Sequence, residues 1–164
     1  MTKLRALEPD DIDLLFTVEN DLTLWKVGDS NVPYSREFLR NYILSTTGDI
    51  FSDKQLRLVV EYDNKPAGLI DLTSFSPLHR RAEVGIAILK EFRQRGIGME
   101  AVSQLERYAA EFLHIHQLYA IIPEDNTPCL DLFEKCSFEC KSTLKDWLID
   151  GQTYKNAFVY QKMI

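Results

Sequence analysis

The run Arg93-Gln94-Arg95-Gly96-Ile97-Gly98 is the part of this sequence whose residue types and spacing bear most directly on chemistry. Two glycines one residue apart allow a tight turn and let backbone N–H groups come close to a ligand. A helix starting there adds N–H groups with no partner inside the helix, and the positive end of its dipole. Arg93 and Arg95 add two full charges. Together these make an anion cradle for a phosphate or pyrophosphate. The same residues can be spelled Gly96-x-Gly98-x-x-Ala101, a form of the dinucleotide fingerprint, with Glu124 near the distance where that motif expects an acid. That motif needs repeated strand–helix crossovers, and this sequence offers one, in mid-chain. A Walker-type loop is excluded because no Gly-Lys-Ser/Thr follows.

The elements that must position the cradle are legible around it. Lys3 to Leu7 reads as a first strand, followed by Pro9-Asp10-Asp11 as a helix start and by Ile12, Leu15 and Phe16 at helical spacing. Asp21 to Pro33 reads as a loop. Ser35 reads as the N-cap of a second helix with Phe38, Leu39, Tyr42 and Ile43 on one face. Leu56 to Tyr62 and Ala67 to Phe75 form an antiparallel hairpin around Asp63-Asn64-Lys65-Pro66. Arg81 to Leu89 is a strand whose apolar run from Val84 predicts burial on both faces, and Gly85 within it marks a bulge or a close ligand approach. The helix after the glycines runs from Ile97 to about Leu113, with Val102, Leu105, Tyr108, Ala109 and Phe112 as its apolar stripe. Gln117 to Ile122 is then a strand parallel to the one before the helix. A short helix from Thr127 to Lys135 and a closing strand pair around Asp150-Gly151 complete the chain.

With 164 residues, 45% hydrophobic and 27% charged, the composition is that of a soluble globular protein, expected to form one domain over residues 1–164. The net charge of -6 argues against a broad nucleic-acid surface and is compatible with a cationic substrate. No stretch approaches the roughly 18 apolar residues of a membrane span, and the N-terminal run has no apolar signal-peptide core. Cys129, Cys136 and Cys140 suggest no secreted disulfide framework, and His79, His114 and His116 supply no zinc spacing. A metal-free cytoplasmic protein with reduced thiols is the expectation.

Arg93-x-x-Gly96-x-Gly98 behind an apolar strand resembles motif A of the GNAT acetyltransferases, Gln/Arg-x-x-Gly-x-Gly/Ala. The resemblance extends over almost the whole chain, through Ala82-Glu83-Val84, Asn126, the helix end Leu132-Phe133-Glu134-Lys135-Cys136-Ser137-Phe138 and the turn Asp150-Gly151-Gln152-Thr153-Tyr154. His79-Arg80-Arg81-Ala82-Glu83 and the closing hairpin are most similar to the branch that acetylates spermidine and ribosomal-protein N-termini. The resemblance implies an α/β (α+β) fold with a mixed, mostly antiparallel sheet of about seven strands, helices on both faces and a splayed parallel strand pair. It also implies acetyl-CoA as cosubstrate, and a dimer as a common assembly. A bulge is expected to splay Gly85-Ile86-Ala87-Ile88 away from Gln117 to Ile122, with the pantetheine arm in the opening. The pyrophosphate is expected on the N–H groups of Arg93, Gln94, Arg95, Gly96, Ile97, Gly98 and Met99. Asn126 is implied as a pantetheine contact or a helix cap.

Acetyl transfer to an amine needs a proton acceptor for the nitrogen, a donor for the thioester oxygen as it becomes an oxyanion, and benefits from an acid beside the departing thiolate. Glu83 matches the Ala-Glu pair that supplies the base in several relatives, the alternative being a structural carboxylate. Backbone N–H in the Ile86 to Ile88 region is the expected oxyanion donor. Many relatives carry a tyrosine on the last short helix where this chain has Phe133, which has no proton to give. Either CoA leaves unaided, or another group such as Cys129 or Tyr119 substitutes, or the chain binds acetyl-CoA without much catalysis. Phe133 is assigned both to the cofactor site and, at helical spacing with Leu130, to the core. The acceptor is expected between the loop near Trp25 to Tyr34, the second helix, and the hairpin bearing Trp147 and Tyr154, whose rings suit an aliphatic or cationic amine. Glu19, Asp21, Asp29 and Asp146 are acids able to attract it. The expected function is direct transfer of acetyl from acetyl-CoA to a primary amine, polyamine-like or a protein N-terminus. The alternative is a non-catalytic acyl-CoA-binding or interaction module.

Overall fold

Turn chemistry and strand alternation build the sheet from local pieces. At Asp63 and Asn64 the chain takes φ of 49° and 63°, left-handed values that these two residue types tolerate better than most, and the backbone reverses there. In this computed structural model, which describes residues 1–26 and 31–164, that turn joins β2 (Leu56–Tyr62) to β3 (Lys65–Ser76). The remaining strands are β1 (Thr2–Ala6), β4 (Arg81–Ile88), β5 (Gln117–Pro123), β6 (Glu139–Asp150) and β7 (Thr153–Met163). Their order across the sheet is β1-β2-β3-β4-β5-β7-β6, antiparallel at every step except β4–β5. This is the expected mixed seven-stranded architecture.

The helices are α1 (Ile12–Glu19), α2 (Leu22–Trp25), α3 (Arg36–Ser45), α4 (Ile50–Asp53), α5 (Ile97–Glu111) and α6 (Thr127–Lys135). Ser35 caps α3 as its type predicts, its hydroxyl accepting from Phe38 N–H at 3.0 Å. Two short helices were not legible as such. Asp21, read as loop, caps α2 through Thr23 N–H, and Asp49 caps α4 through Phe51 N–H. On one face of the sheet α5 and α6 cover Ile70, Leu72, Ala82, Val84, Leu118 and Ile122. On the other, Leu14, Leu15, Leu39 and Ile43 of α1 and α3 close over Val59 and Leu69.

The stripe of α5 differs from the predicted one. Ile97, Ala101, Val102, Leu105 and Ala109 are buried, whereas Tyr108 and Phe112 stack on each other at 5.7 Å and are exposed. The aromatic pair lies one step round the helix from the buried stripe, lining a cleft with Leu4 and Arg107.

Two further corrections concern β4. Gly85 to Ile88 are only partly buried, because β5 has left their side. There is also no bulge among them: β4 pairs with β3 in unbroken register from Glu83 to Ile88. The extra residue sits on β3, between Thr73 and Ser76, where Ser74 has φ of 50°. Gly68, which the sequence did not single out, is the glycine this strand pair requires. A Cβ there would lie 2.2 Å from the carbonyl oxygen of Ala87.

Candidate active site

The parallel pairing of β4 and β5 spans three rungs, Arg81–Gln117, Ala82–Leu118 and Glu83–Tyr119. Beyond Glu83 the two strands part. β4 continues to Ile88 against β3, and β5 continues to Pro123 against β7. Between them lies a wedge whose closed end is the Glu83–Tyr119 rung. Among the described residues no strand lies beside the β5-facing edge of β4 from Val84 onward, so its backbone polar groups there are available to a guest.

The glycine loop stands at the open end. After Lys90–Phe92 forms a single 3-10 turn, Gln94 and Gly96 take φ of 60° and 78°. Among the described residues, no backbone or side-chain acceptor meets the N–H groups of Gln94 to Met99; the next one, Glu100 N–H, donates to Gly96 at 3.1 Å. Consecutive N–H groups at a helix start make the anion cradle predicted from the sequence. The two glycines serve it differently. Gly96 has open space around a would-be Cβ and needs its left-handed φ, whereas Gly98 packs against α6, where a Cβ would lie 3.4 Å from a Leu132 methyl and 3.9 Å from Ile86 Cδ1. Ile97 is buried and anchors the loop; Met99 is exposed beside it. Arg93 folds back, its Nε donating to the Ile88 carbonyl at 2.8 Å, and the Arg95 guanidinium lies 5.9 Å over the Phe92 ring. Asn126 begins α6 but its side chain makes no capping bond.

On the face away from α5, β5 alternates: Leu118, Ala120 and Ile122 are buried, and Gln117, Tyr119 and Ile121 are half-buried. Glu83 and Tyr119 share that more open face, as cross-strand partners do. One row over, Arg57, Asp71 and Gly85 lie opposite one another on β2, β3 and β4. Arg57 donates to both oxygens of Asp71 at 2.8 Å, reaches Glu19 on α1 with its other nitrogen, and lies over the Tyr42 ring. Burial works against the Arg57 charge, but the two carboxylates outweigh it and hold the guanidinium firmly protonated. One arginine between two carboxylates leaves a net negative charge beside the opened strand. The sequence shows Arg57 and Asp71 only as charges inside apolar strands; their register reveals the cluster.

A cavity of about 280 Å³ runs from Thr17, Val18 and Asp21 to Ala87, Ile88 and Arg93, linking the α1–α2 corner to the cradle. Hydrogen bonding from the Thr23 hydroxyl is the main reason Asp21 stays below the usual carboxylate range, and Lys90 and Arg93 add to it. A larger cleft of about 510 Å³ lies at the far edge of the sheet, around Leu4, Tyr42, Arg107 and Phe112, away from this loop.

Other expected groups are scattered. Trp25 donates from Nε1 to the Glu19 carbonyl at 2.7 Å, while Trp147 and Tyr154 stand exposed on the closing hairpin. No ring contact among the described residues joins them. Asp146 lies on that hairpin, exposed, and Asp29 falls outside the described residues. Phe133 is 1% exposed and meets Phe138 edge-on at 4.9 Å. Burial pushes the Cys129 thiol up to about 12.

A seven-stranded mixed sheet, opened at its one parallel pair with a glycine cradle at the mouth, defines the architecture of CoA-dependent N-acetyltransferases. The chain belongs to the GNAT acetyltransferase family: the family model "Acetyltransferase (GNAT) domain" matches residues 2–139. It is 30% identical to the spermidine N(1)-acetyltransferase of Escherichia coli over 158 residues, covering 94% of this chain and 82% of that one. A putative ribosomal N-acetyltransferase of Bacillus subtilis is 27% identical, with coverages of 88% and 81%. Among solved structures, spermidine N-acetyltransferase from Vibrio cholerae with CoA and spermine superimposes with a TM-score of 0.88 at 23% identity, covering 99% of this chain and 95% of that one. RimL, a ribosomal-protein alpha-N-acetyltransferase bound to CoA, gives 0.89 at 17% identity, with coverages of 99% and 94%. The last two likenesses speak to the fold. The protein is an acetyl-CoA-dependent N-acetyltransferase.

Proposed function

We propose that the wedge between β4 and β5 receives the pantetheine arm along Gly85, Ile86, Ala87 and Ile88, with Asn126 contacting it from α6. The pyrophosphate then lies on the N–H groups from Gln94 to Met99, flanked by the Arg93 and Arg95 charges; the Arg93 N–H, expected in the same row, is taken by the Lys90 carbonyl at 3.3 Å. Phe133, buried in the core against Phe138, supports α6 from within rather than touching solvent. Glu83 accepts the proton of the attacking amine. The observation that carries this reading is the Glu83–Tyr119 rung: a carboxylate at the closed end of an opening whose mouth is a row of unpartnered N–H groups.

The acceptor in this proposal is a primary amine entering from the α1–α3 face, and a polyamine-like molecule is favoured. The negative Arg57–Asp71–Glu19 cluster suits a substrate with more than one ammonium group, and the Escherichia coli relative is a spermidine acetyltransferase. A protein N-terminus is the second reading, favoured by the ribosomal N-acetyltransferase relative. We further infer one domain over residues 1–164, supported by a single sheet running from Thr2 to Met163, acting in the cytoplasm as a homodimer. Among the described residues no helix is long and apolar enough to cross a membrane. The purified protein should bind acetyl-CoA by calorimetry and release free thiol with spermidine or spermine faster than with a peptide N-terminus. Glu83→Gln should lower kcat by roughly 100-fold or more and change the shape of its pH profile; an unaltered profile would remove Glu83 as the base. Binding without thiol release for any amine would instead support a non-catalytic acyl-CoA module.

A further inference from the structure

Acetyl transfer ends with a CoA thiolate that must acquire a proton, and α6 does not supply it. Phe133 has none to give and is packed in the core. The Cys129 thiol sits on the same helix, raised by burial and packed against the core, with no place on the rung where β4 and β5 part.

Tyr119 occupies a different position. It is the β5 member of the last rung shared with β4, opposite Glu83, at the point where the strands separate. Its side chain is half-buried on the open face, beside that carboxylate. The β3 bulge brings Ser74 next to the phenol, and Arg81 acts on it from β4; on β7 its partner is the uncharged Gln161. Burial first, then the Glu83 charge, raise the phenol above its ordinary value, so it keeps its proton at neutral pH.

We propose that Tyr119 is the proton donor to the departing CoA thiolate, and that Glu83 returns to it the proton taken from the amine. The proposal rests on the placement of acetyl-CoA in the wedge. The nitrogen lone pair forms the C–N bond, the thioester carbonyl becomes an oxyanion, and Glu83 accepts the ammonium proton. Collapse of the oxyanion breaks the C–S bond, the bonding pair leaves on sulfur, and sulfur takes the Tyr119 proton. The phenolate then takes the proton held on Glu83. Amide and free thiol are produced, and both side chains end as they began. This gives the last rung of the parallel pair one purpose for both of its residues, and it answers the absence of an acid on α6.

Tyr119→Phe tests the assignment with the fastest acceptor from the amine panel. Acetyl-CoA affinity by calorimetry should stay within about twofold of wild type, while kcat falls about 100-fold at unchanged KM. With acetyl 4-nitrothiophenyl thioester as donor, whose thiolate leaves without protonation, the loss should shrink to about threefold or less. A kcat with acetyl-CoA within about threefold of wild type, or an equal loss with both donors, overturns the proposal. If Tyr119→Phe does not fold, 3-fluorotyrosine at position 119, with its more acidic phenol, should move the alkaline limb of kcat to lower pH; an unmoved limb overturns it. Wild type that fails to bind acetyl-CoA overturns the wedge placement itself, and this arm is read before any variant.

Discussion

Replacing Gly68 by alanine would put a methyl group where β3 and β4 have no room for one. The added carbon would lie 2.2 Å from the Ala87 carbonyl oxygen and 3.0 Å from Ile88 Cα. That is about 1 Å short of the ~3.3 Å at which carbon and carbonyl oxygen rest. Both obstacles are backbone, so no rotamer change relieves them. Overpacking costs about 1–3 kcal/mol, toward the upper end where backbone must move. Displacing β4 also strains the adjacent bond from Leu89 N–H to the Ala67 carbonyl, which is 2.9 Å long; losing such a bond costs about 1 kcal/mol. We expect about 3 kcal/mol in all, a fall of roughly 6–12 °C in Tm for a chain this size. Gly85→Ala is the internal control. Its Cβ would meet only the Asp71 Cβ at 3.8 Å, an ordinary contact, and stability should change by no more than about 0.5 kcal/mol. Urea titrations of both variants, compared at equal m, measure the difference. Because Ala87 and Ile88 lie on the strand proposed to take the pantetheine arm, Gly68→Ala should also bind acetyl-CoA more weakly where it is still folded. Equal stability of the two variants would refute the steric reasoning.

Charge reversal of Arg93 and Arg95 together should weaken acetyl-CoA binding about tenfold or more at low salt, and less at high salt because exposed charges are screened. Unchanged affinity in calorimetry at low salt would remove the cradle assignment. Acid should loosen the fold partly through Asp11, which is 6% exposed and bound by Arg5 at 2.7 and 2.8 Å. Burial pushes its carboxyl up, but the Arg5 hydrogen bonds, the Glu8 N–H and the Arg5 charge together hold it below the ordinary value. A pKa lowered on folding contributes stability that is full above the unfolded value of about 3.9 and lost as pH falls through the folded value. With Arg5 partly exposed, the contribution is on the order of 1 kcal/mol. Tm measured between neutral pH and about pH 2 should therefore fall more steeply for wild type than for Asp11→Asn; parallel curves would contradict this.

How much of this was readable beforehand depended on how local the cause was. Gly96 and Gly98 stand out because a tight turn at a helix start has few alternatives in residue type. Ser35 and Asp63-Asn64 announce a cap and a reversal for the same reason. The period of α5 is legible but the width of its buried stripe is not, since periodicity does not say how far round the helix the cover reaches, and Tyr108 and Phe112 fall outside it while Ala109 stays buried. The bulge was placed on β4, where Gly85 sits, though the inserted residue is on β3, where a non-glycine carries the left-handed φ.

By itself, then, the sequence determined the elements, their order and the anion cradle, because hydrophobic period, caps and turn residues act over a few positions. It also determined which residue types were available to the chemistry, including the phenylalanine at 133. Only the tertiary structure decided which residues face one another across strands. The Arg57–Asp71–Gly85 row, the Glu83–Tyr119 rung and the close approach at Gly68 all depend on register between segments distant in the chain. A shift of one residue in that register would send each of these side chains to the other face, and no local signal specifies it.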